Sequence, residues 1–206
     1  QERLQARTDQ KKQRSVSLYF QGLTAQAGKK TGKAIEALEA SVRQAPSFTA
    51  AYVHLADLYR EQGRWRRVVS CLEQAVHNKV ASERIYSLLA QAYKEQGQRD
   101  KAIDTLQKGV NRHPEYAPLA ANLAWMYLEQ EQDLSEAFNL AQKAYTLSPD
   151  NPAVVDTLGW AFYKRDLYTR AVWLFEQAVS LEPDNPILHY HLGLARQAQG
   201  KAEQGR

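Results

Sequence analysis

The sequence predicts an all-α fold, a tandem array of helical hairpins, and three observations carry the prediction. Small residues recur at a fixed period: Gly22, Ala56, Ala90, Ala124, Gly159 and Gly193 are separated by 34, 34, 34, 35 and 34 residues. Apolar residues on either side of them recur at spacings of three and four, which place them on one stripe of a helix. Prolines punctuate each period at a fixed place, at Pro46, Pro114, Pro149 and Pro183, with Val80 as the exception.

Each element follows from these positions. The first helix of a unit holds the small residue, usually with Leu before it (Leu55, Leu89, Leu123, Leu158, Leu192) and an aromatic three after it (Tyr59, Tyr93, Tyr127, Phe162). Gly63 and Gly97 then supply a permissive backbone for a tight turn. The second helix carries Ala34, Val68, Ala102, Ala137 and Ala171, each followed four residues later by Leu38, Leu72, Leu106, Ala141 and Phe175. A proline ring without an amide hydrogen stops it. In the two "PDNP" stretches, at 149–152 and 183–186, the stop is followed by a start, with Asn151 and Asn185 as caps and Pro at the next first turn.

The units are therefore placed at 15–48, 49–82, 83–116, 117–151 and 152–185. The one extra residue of the fourth falls in its turn, "EQEQDLSEA", where an insertion costs least. Residues 1–14 lack a clear apolar stripe and read as a polar helical extension or the end of a preceding unit. Residues 186–206 read as the first helix of a sixth unit or a capping helix.

Composition narrows the function classes. Hydrophobic residues make up 44% and charged residues 24%, so the chain can bury a core. The single Cys71 excludes an intrachain disulfide framework and a cysteine zinc cluster. No run of about 18 apolar residues exists to span a membrane, and the N-terminus lacks the apolar centre of a signal peptide. Met126 is the only methionine, so the chain is expected to be a processed product or a part of a longer one. The net charge of +4 is uneven: residues 1–116 carry 20 Lys/Arg against 12 Asp/Glu, and residues 117–206 carry 7 against 11.

The pattern L-G/A-x-x-Y, then G, A and P, at 34-residue spacing resembles the tetratricopeptide repeat, as in "TLGWAFYKRDLYTRAVWLFEQAVSLEPDNP" at 157–186. That resemblance implies a right-handed superhelical α-solenoid whose concave face is lined by first-helix side chains and serves as a peptide-binding groove. The wording of the fifth unit is also similar to repeat regions of bacterial envelope proteins linked to exopolysaccharide export or protein sorting, which leaves cytoplasm and envelope both open.

On that register the groove rows can be named. One residue after each small position stand Leu23, Asp57, Gln91, Trp125, Trp160 and Leu194; three before it stand Tyr19, Val53, Ser87, Ala121, Asp156 and Tyr190. Four after it stand Gln26, Arg60, Lys94, Leu128, Tyr163 and Gln197, and two before it Phe20, His54, Leu88, Asn122, Thr157 and His191. The expected partner-binding set is Tyr19, His54, Asp57, Arg60, Arg84, Gln91, Lys94, Asn122, Trp125, Asp156, Trp160, Tyr163 and Tyr190. It is basic in the middle units and aromatic in the later ones, which suits a protein segment with acidic and apolar residues. Trp125 and Trp160 have a second reading, as packing between adjacent first helices. The Lys, Asn and Arg pattern of the chaperone-tail branch is absent, and the asparagine ladder of the sugar-transferase branch is reduced to Asn122. On the outer face Glu36, Ser70, Asp104 and Asn139 give way to Trp173, which suggests a second contact surface.

Nothing in the sequence specifies catalysis, a cofactor or a metal. "GKKTGK" at 28–33 is one residue short of a phosphate loop and follows a helix. His189 and His191 are two apart and diverge on a helix, so they read as one packed and one groove-facing residue. Cys71 reads as packing. "KKQR" and "GRWRR" raise nucleic acid, but Trp65 stands where the family places a packing aromatic, so nucleic acid is disfavoured. Three functions are weighed: an interaction scaffold, a head-to-tail homo-oligomer joining unlike charged halves, and the docking part of a larger enzyme.

Overall fold

The computed structural model describes residues 2–131 and 133–204. Expectations at residues 1, 132, 205 and 206, including one position of the fourth unit's turn, lie outside it. Among the described residues there are eleven α-helices: α1 (Glu2–Ala27), α2 (Thr31–Gln44), α3 (Thr49–Glu61), α4 (Trp65–His77), α5 (Glu83–Glu95), α6 (Arg99–Arg112), α7 (Ala117–Gln130), α8 (Leu134–Leu147), α9 (Pro152–Tyr163), α10 (Tyr168–Leu181) and α11 (Pro186–Gln204). The fold is an all-α array of helical hairpins. It forms two compact units that meet in sequence between Thr105 and Leu106, inside α6.

In the first unit α1 packs on α2 and α3 on α4, while α5 closes against α4 and α3. In the second, α7 packs on α8 and α9 on α10, while α11 closes against α10 and α9. Odd-numbered helices also touch their odd-numbered neighbours, α7 with α9 and α9 with α11, so within each unit they share one face. Residues 2–14 belong to the same continuous helix as the first small position, Gly22.

The small residues explain the close hairpins. A Cβ added to Gly22 would lie 2.8 Å from Leu38 Cγ, and one added to Gly159 would lie 2.7 Å from Phe175 Cε1. Ala34, Leu38, Ala56, Val68, Leu72, Ala102, Ala124, Ala137, Ala141, Ala171 and Phe175 are all fully buried. Gly193 differs: an added Cβ meets nothing within 4 Å among the described residues. Ser15 and Ser41 tie α1 to α2 where a hydroxyl replaces an apolar contact. Each is fully buried. Ser15 Oγ donates to the Ser41 carbonyl at 2.9 Å, and Ser41 Oγ donates to the Ser15 carbonyl at 2.8 Å.

Helix ends follow the sequence closely. The second helices before Pro46, Pro114, Pro149 and Pro183 end two residues earlier, at Gln44, Arg112, Leu147 and Leu181. Asn151 Oδ1 accepts from the Ala153 and Val154 amides, and Asn185 Oδ1 from the Ile187 amide. Within the hairpins one turn position is always left-handed. It is glycine at Gly63 and Gly97, but the same place in the other units is held by Lys29 (φ 56°), Glu131 (φ 52°) and Asp166 (φ 59°). The turn therefore does not depend on glycine, and each non-glycine carries a steric cost.

Two predictions follow from this packing. Gly159→Ala should lower stability by ~1–3 kcal/mol, because the Phe175 ring has nowhere to move, whereas Gly193→Ala should be neutral or slightly stabilising. Lys29→Gly should raise stability by up to ~1 kcal/mol by relieving the left-handed strain. Urea unfolding followed by circular dichroism measures all three; equal losses at positions 159 and 193 would refute the packing account.

Candidate functional site

In the second unit the odd-numbered helices bring five rings together. Trp125 on α7, Trp160 and Tyr163 on α9, and Tyr190 and His191 on α11 form a cluster over Phe175 of α10. Trp160 stacks on Tyr163 with centroids 4.8 Å apart and planes 8° apart. It lies 4.8 Å from the His191 ring and 6.0 Å from Trp125, which is itself 5.7 Å from His191. The two tryptophans pack between first helices, and each stays half-exposed. Tyr190 sits at the rim of the cluster, 5.9 Å from the His191 ring and 63% exposed.

His191 is the hub that sequence reasoning left out of the site. It is buried, and its Nδ1–H donates to Asp156 Oδ1 at 2.8 Å and Oδ2 at 3.1 Å. Asp156 is buried as well, at 7% exposed, so it orients the imidazole from below and offers nothing to a partner. The first unit repeats the device: Tyr19 Oη and His54 Nδ1 are 2.8 Å apart, at the same 35-residue separation. That spacing, from three before one small residue to two before the next, was the available signal. Tyr19 also meets Phe48 and Phe20 edge-on at 5.0 and 5.5 Å, and Phe20 is exposed. His189 diverges from His191 as expected and donates Nε2–H to the Pro183 carbonyl at 2.7 Å.

The predicted basic stretch is offset in part from within. Asp57 receives Arg60 at 3.1 Å through Oδ1 and Arg84 at 2.7 Å through Oδ2, so two of its cations share one carboxylate. Arg60 Nε is buried with no acceptor among the described residues. Gln91 and Asn122 are exposed on α5 and α7, and Lys94 is half-buried on α5. Lys164, next to Tyr163, lies 5.9 Å above the Trp160 ring and binds Glu131 at 2.8 Å, which holds that carboxyl below its usual range.

A different pattern runs along the even-numbered helices. Tyr59 Oη donates to Glu39 Oε1 and Tyr93 Oη to Glu73 Oε1, each at 2.5 Å. Gln107 Nε2 donates to Tyr127 Oη at 2.7 Å, and Arg196 pairs with Glu176 at 2.8 Å. Burial, and then the acceptor carboxylate, push the Tyr59 and Tyr93 hydroxyls above the usual phenol range. Trp173 on α10 is 59% exposed. No cluster of three metal-binding side chains occurs among the described residues, and no described helix is long and apolar enough to cross a membrane.

The family model that matches these hairpins is the tetratricopeptide repeat, over residues 27–192. The chain belongs to the tetratricopeptide repeat family. Solved structures of similar fold include a tetratricopeptide repeat protein from Parabacteroides merdae, at 18% identity, covering 93% of this chain and 76% of the other, with TM-score 0.74. The protein MamA is similar at 20% identity, 82% and 92% coverage, and TM-score 0.66. YrrB, described as a tetratricopeptide repeat protein with an unusual peptide-binding site, is similar at 14% identity, 86% and 90% coverage, and TM-score 0.64. No curated protein sequence matches this chain. A tetratricopeptide repeat array is in general a protein-interaction scaffold, and this one presents its side chains on two faces of each unit.

Cys71 fits such a scaffold. Its thiol is buried and points to the Tyr52 carbonyl at 3.8 Å; burial, and secondarily Glu39, push it up to about 12. A raised thiol leaves stability intact below about 9, its ordinary value, and removes it as pH climbs towards 12. Stability measured across that range should therefore fall, and fall less in Cys71→Ala. Iodoacetamide at pH 8 should label Cys71 at least ~100-fold faster in denaturant than in the native protein, since only the thiolate reacts; equal rates would refute this.

Proposed function

We propose that this protein is a non-catalytic scaffold that holds an extended partner segment along the odd-helix face, with the aromatic cluster of the second unit as its anchor. One observation carries the reading: Trp125, Trp160, Tyr163 and Tyr190 present graded exposure above a buried His191–Asp156 pair that fixes their base. Rings already ordered by packing lose little freedom when a partner covers them, and this is how aromatic anchors acquire affinity.

An apolar or aromatic segment suits this surface best. Lys164 beside Trp160 is paired with Glu131, so an acidic neighbour would have to compete for it. In the first unit an acidic segment would have to compete with Asp57 for Arg60 and Arg84, so the basic part of the groove steers encounter more than it adds affinity. The peptide-binding site named for YrrB supports a peptide ligand by analogy of fold. The wording of the fifth repeat supports a place in a bacterial envelope or sorting complex.

Selection of peptides from a random display library against the whole chain tests this reading. Peptides rich in apolar residues are expected, with affinity reduced about tenfold by Tyr190→Ala, whose exposed ring can be removed without opening the core. Selected peptides that bind Tyr190→Ala and Tyr163→Ala as tightly as the parent protein would sink it.

A further inference from the structure

The even-helix side of the second unit contains a notch of about 400 Å³ between α8 and α10, floored by Leu158 and Phe162 of α9 and walled by Tyr145, Leu174 and Trp173. The first unit has the same notch in the same register, 103 residues earlier, with a volume of about 290 Å³. Its chemistry is different. There Tyr59 donates to Glu39, which also pairs with Arg43 at 3.5 Å, while Ser70 and Arg67 complete the lining and Arg67 acts electrostatically on the Tyr59 hydroxyl.

In the second unit three polar members change: Tyr59 to Phe162, Glu39 to Gln142, and Ser70 to Trp173. The bond that ties a second helix to the following first helix at the other four junctions is therefore missing here. What remains is the arginine. Arg170, the counterpart of Arg67, lies with its guanidinium carbon 5.5 Å from the Phe162 ring, and Arg165 lies 4.3 Å over Phe138, which meets Phe162 edge-on at 5.0 Å. Neither arginine forms an ion pair among the described residues. Asp166, between them in sequence, accepts the Tyr168 hydroxyl.

We propose that this notch is a second docking site, separate from the odd-helix face, which takes a protein segment carrying an apolar side chain beside a carboxylate. The apolar side chain fills the space between Phe162, Leu174 and Trp173, and the carboxylate meets Arg170, in a notch whose first-unit counterpart is lined by the carboxylate of Glu39. A guanidinium resting on an aromatic face keeps its N–H edge free for such a bond, which is how arginine joins apolar and acidic recognition. A notch of about 400 Å³ has room for a side chain of leucine or phenylalanine size together with its neighbouring backbone, so a short segment suffices.

The site can be tested on the whole chain with two blocked pentapeptides, Gly-Leu-Asp-Asp-Gly and Gly-Leu-Asn-Asn-Gly, followed by the indole N–H signal of Trp173 in nuclear magnetic resonance spectra. The Trp173→Phe variant identifies that signal. Saturating movement is expected with the acidic peptide and about tenfold weaker binding with the amide peptide. Arg170→Gln, a change at an exposed side chain, should erase the difference between them. The double variant Gln142→Glu, Phe162→Tyr rebuilds the bond found at the other junctions and should abolish binding while keeping the native melting temperature. A Trp173 signal that does not move, moves equally with both peptides, or moves only when protein concentration rises would overturn the proposal, the last by naming a second copy as occupant. None of these results bears on Tyr190, so the groove reading stands or falls separately.

Discussion

Everything in this fold depends on how closely a first helix can approach the second helix of its own hairpin. At Gly22 and Gly159 the approach leaves no room for a methyl group, and the methyl groups of Ala56, Ala90 and Ala124 are buried in the same contact. Once that contact is set, the 100° step of the helix assigns every other first-helix residue to a face. Residues three before and one after the small position turn to the odd-helix side, and the aromatic three after it turns to the notch between second helices. The 34-residue period is the sequence record of that single contact.

The two faces use aromatic rings in opposite ways. On the odd-helix side of the second unit, rings gather around His191, and a buried carboxylate beneath it consumes the hydrogen-bonding capacity that would otherwise be stranded. On the even-helix side, rings end in hydroxyls that bind glutamate or glutamine and seal the junction. Phe162 breaks that rule, and its neighbours change in concert with it: Trp173 replaces a serine and Gln142 replaces a glutamate. A lost seal beside an added tryptophan, and an arginine with no ionic partner among the described residues, form an arrangement that packing alone does not require.

The hairpin turns show how far geometry, more than residue type, is repeated. All five place a left-handed residue seven after the small position, yet only Gly63 and Gly97 meet that demand without strain. At the other three, Lys29, Glu131 and Asp166 accept the strain because the helices on both sides are already fixed by buried contacts. Glu131 and Asp166 recover part of the cost through Lys164 and the Tyr168 hydroxyl.

The sequence by itself determined the helical hairpins, their register, the buried residues of every second helix and the asparagine caps, because these depend on local periodicity and on residues whose backbone preferences are strong. It also marked Trp125, Trp160, Tyr190 and Trp173 as surface features worth explaining. Only the tertiary structure decided which polar residues remain available. Asp156 and His54 lay on the expected rows, but each is taken up by a residue 35 positions away, and Arg60 and Arg84 are both held by Asp57. Pairing across repeats depends on side-chain reach and direction between helices distant in sequence, and no single-helix pattern contains that information.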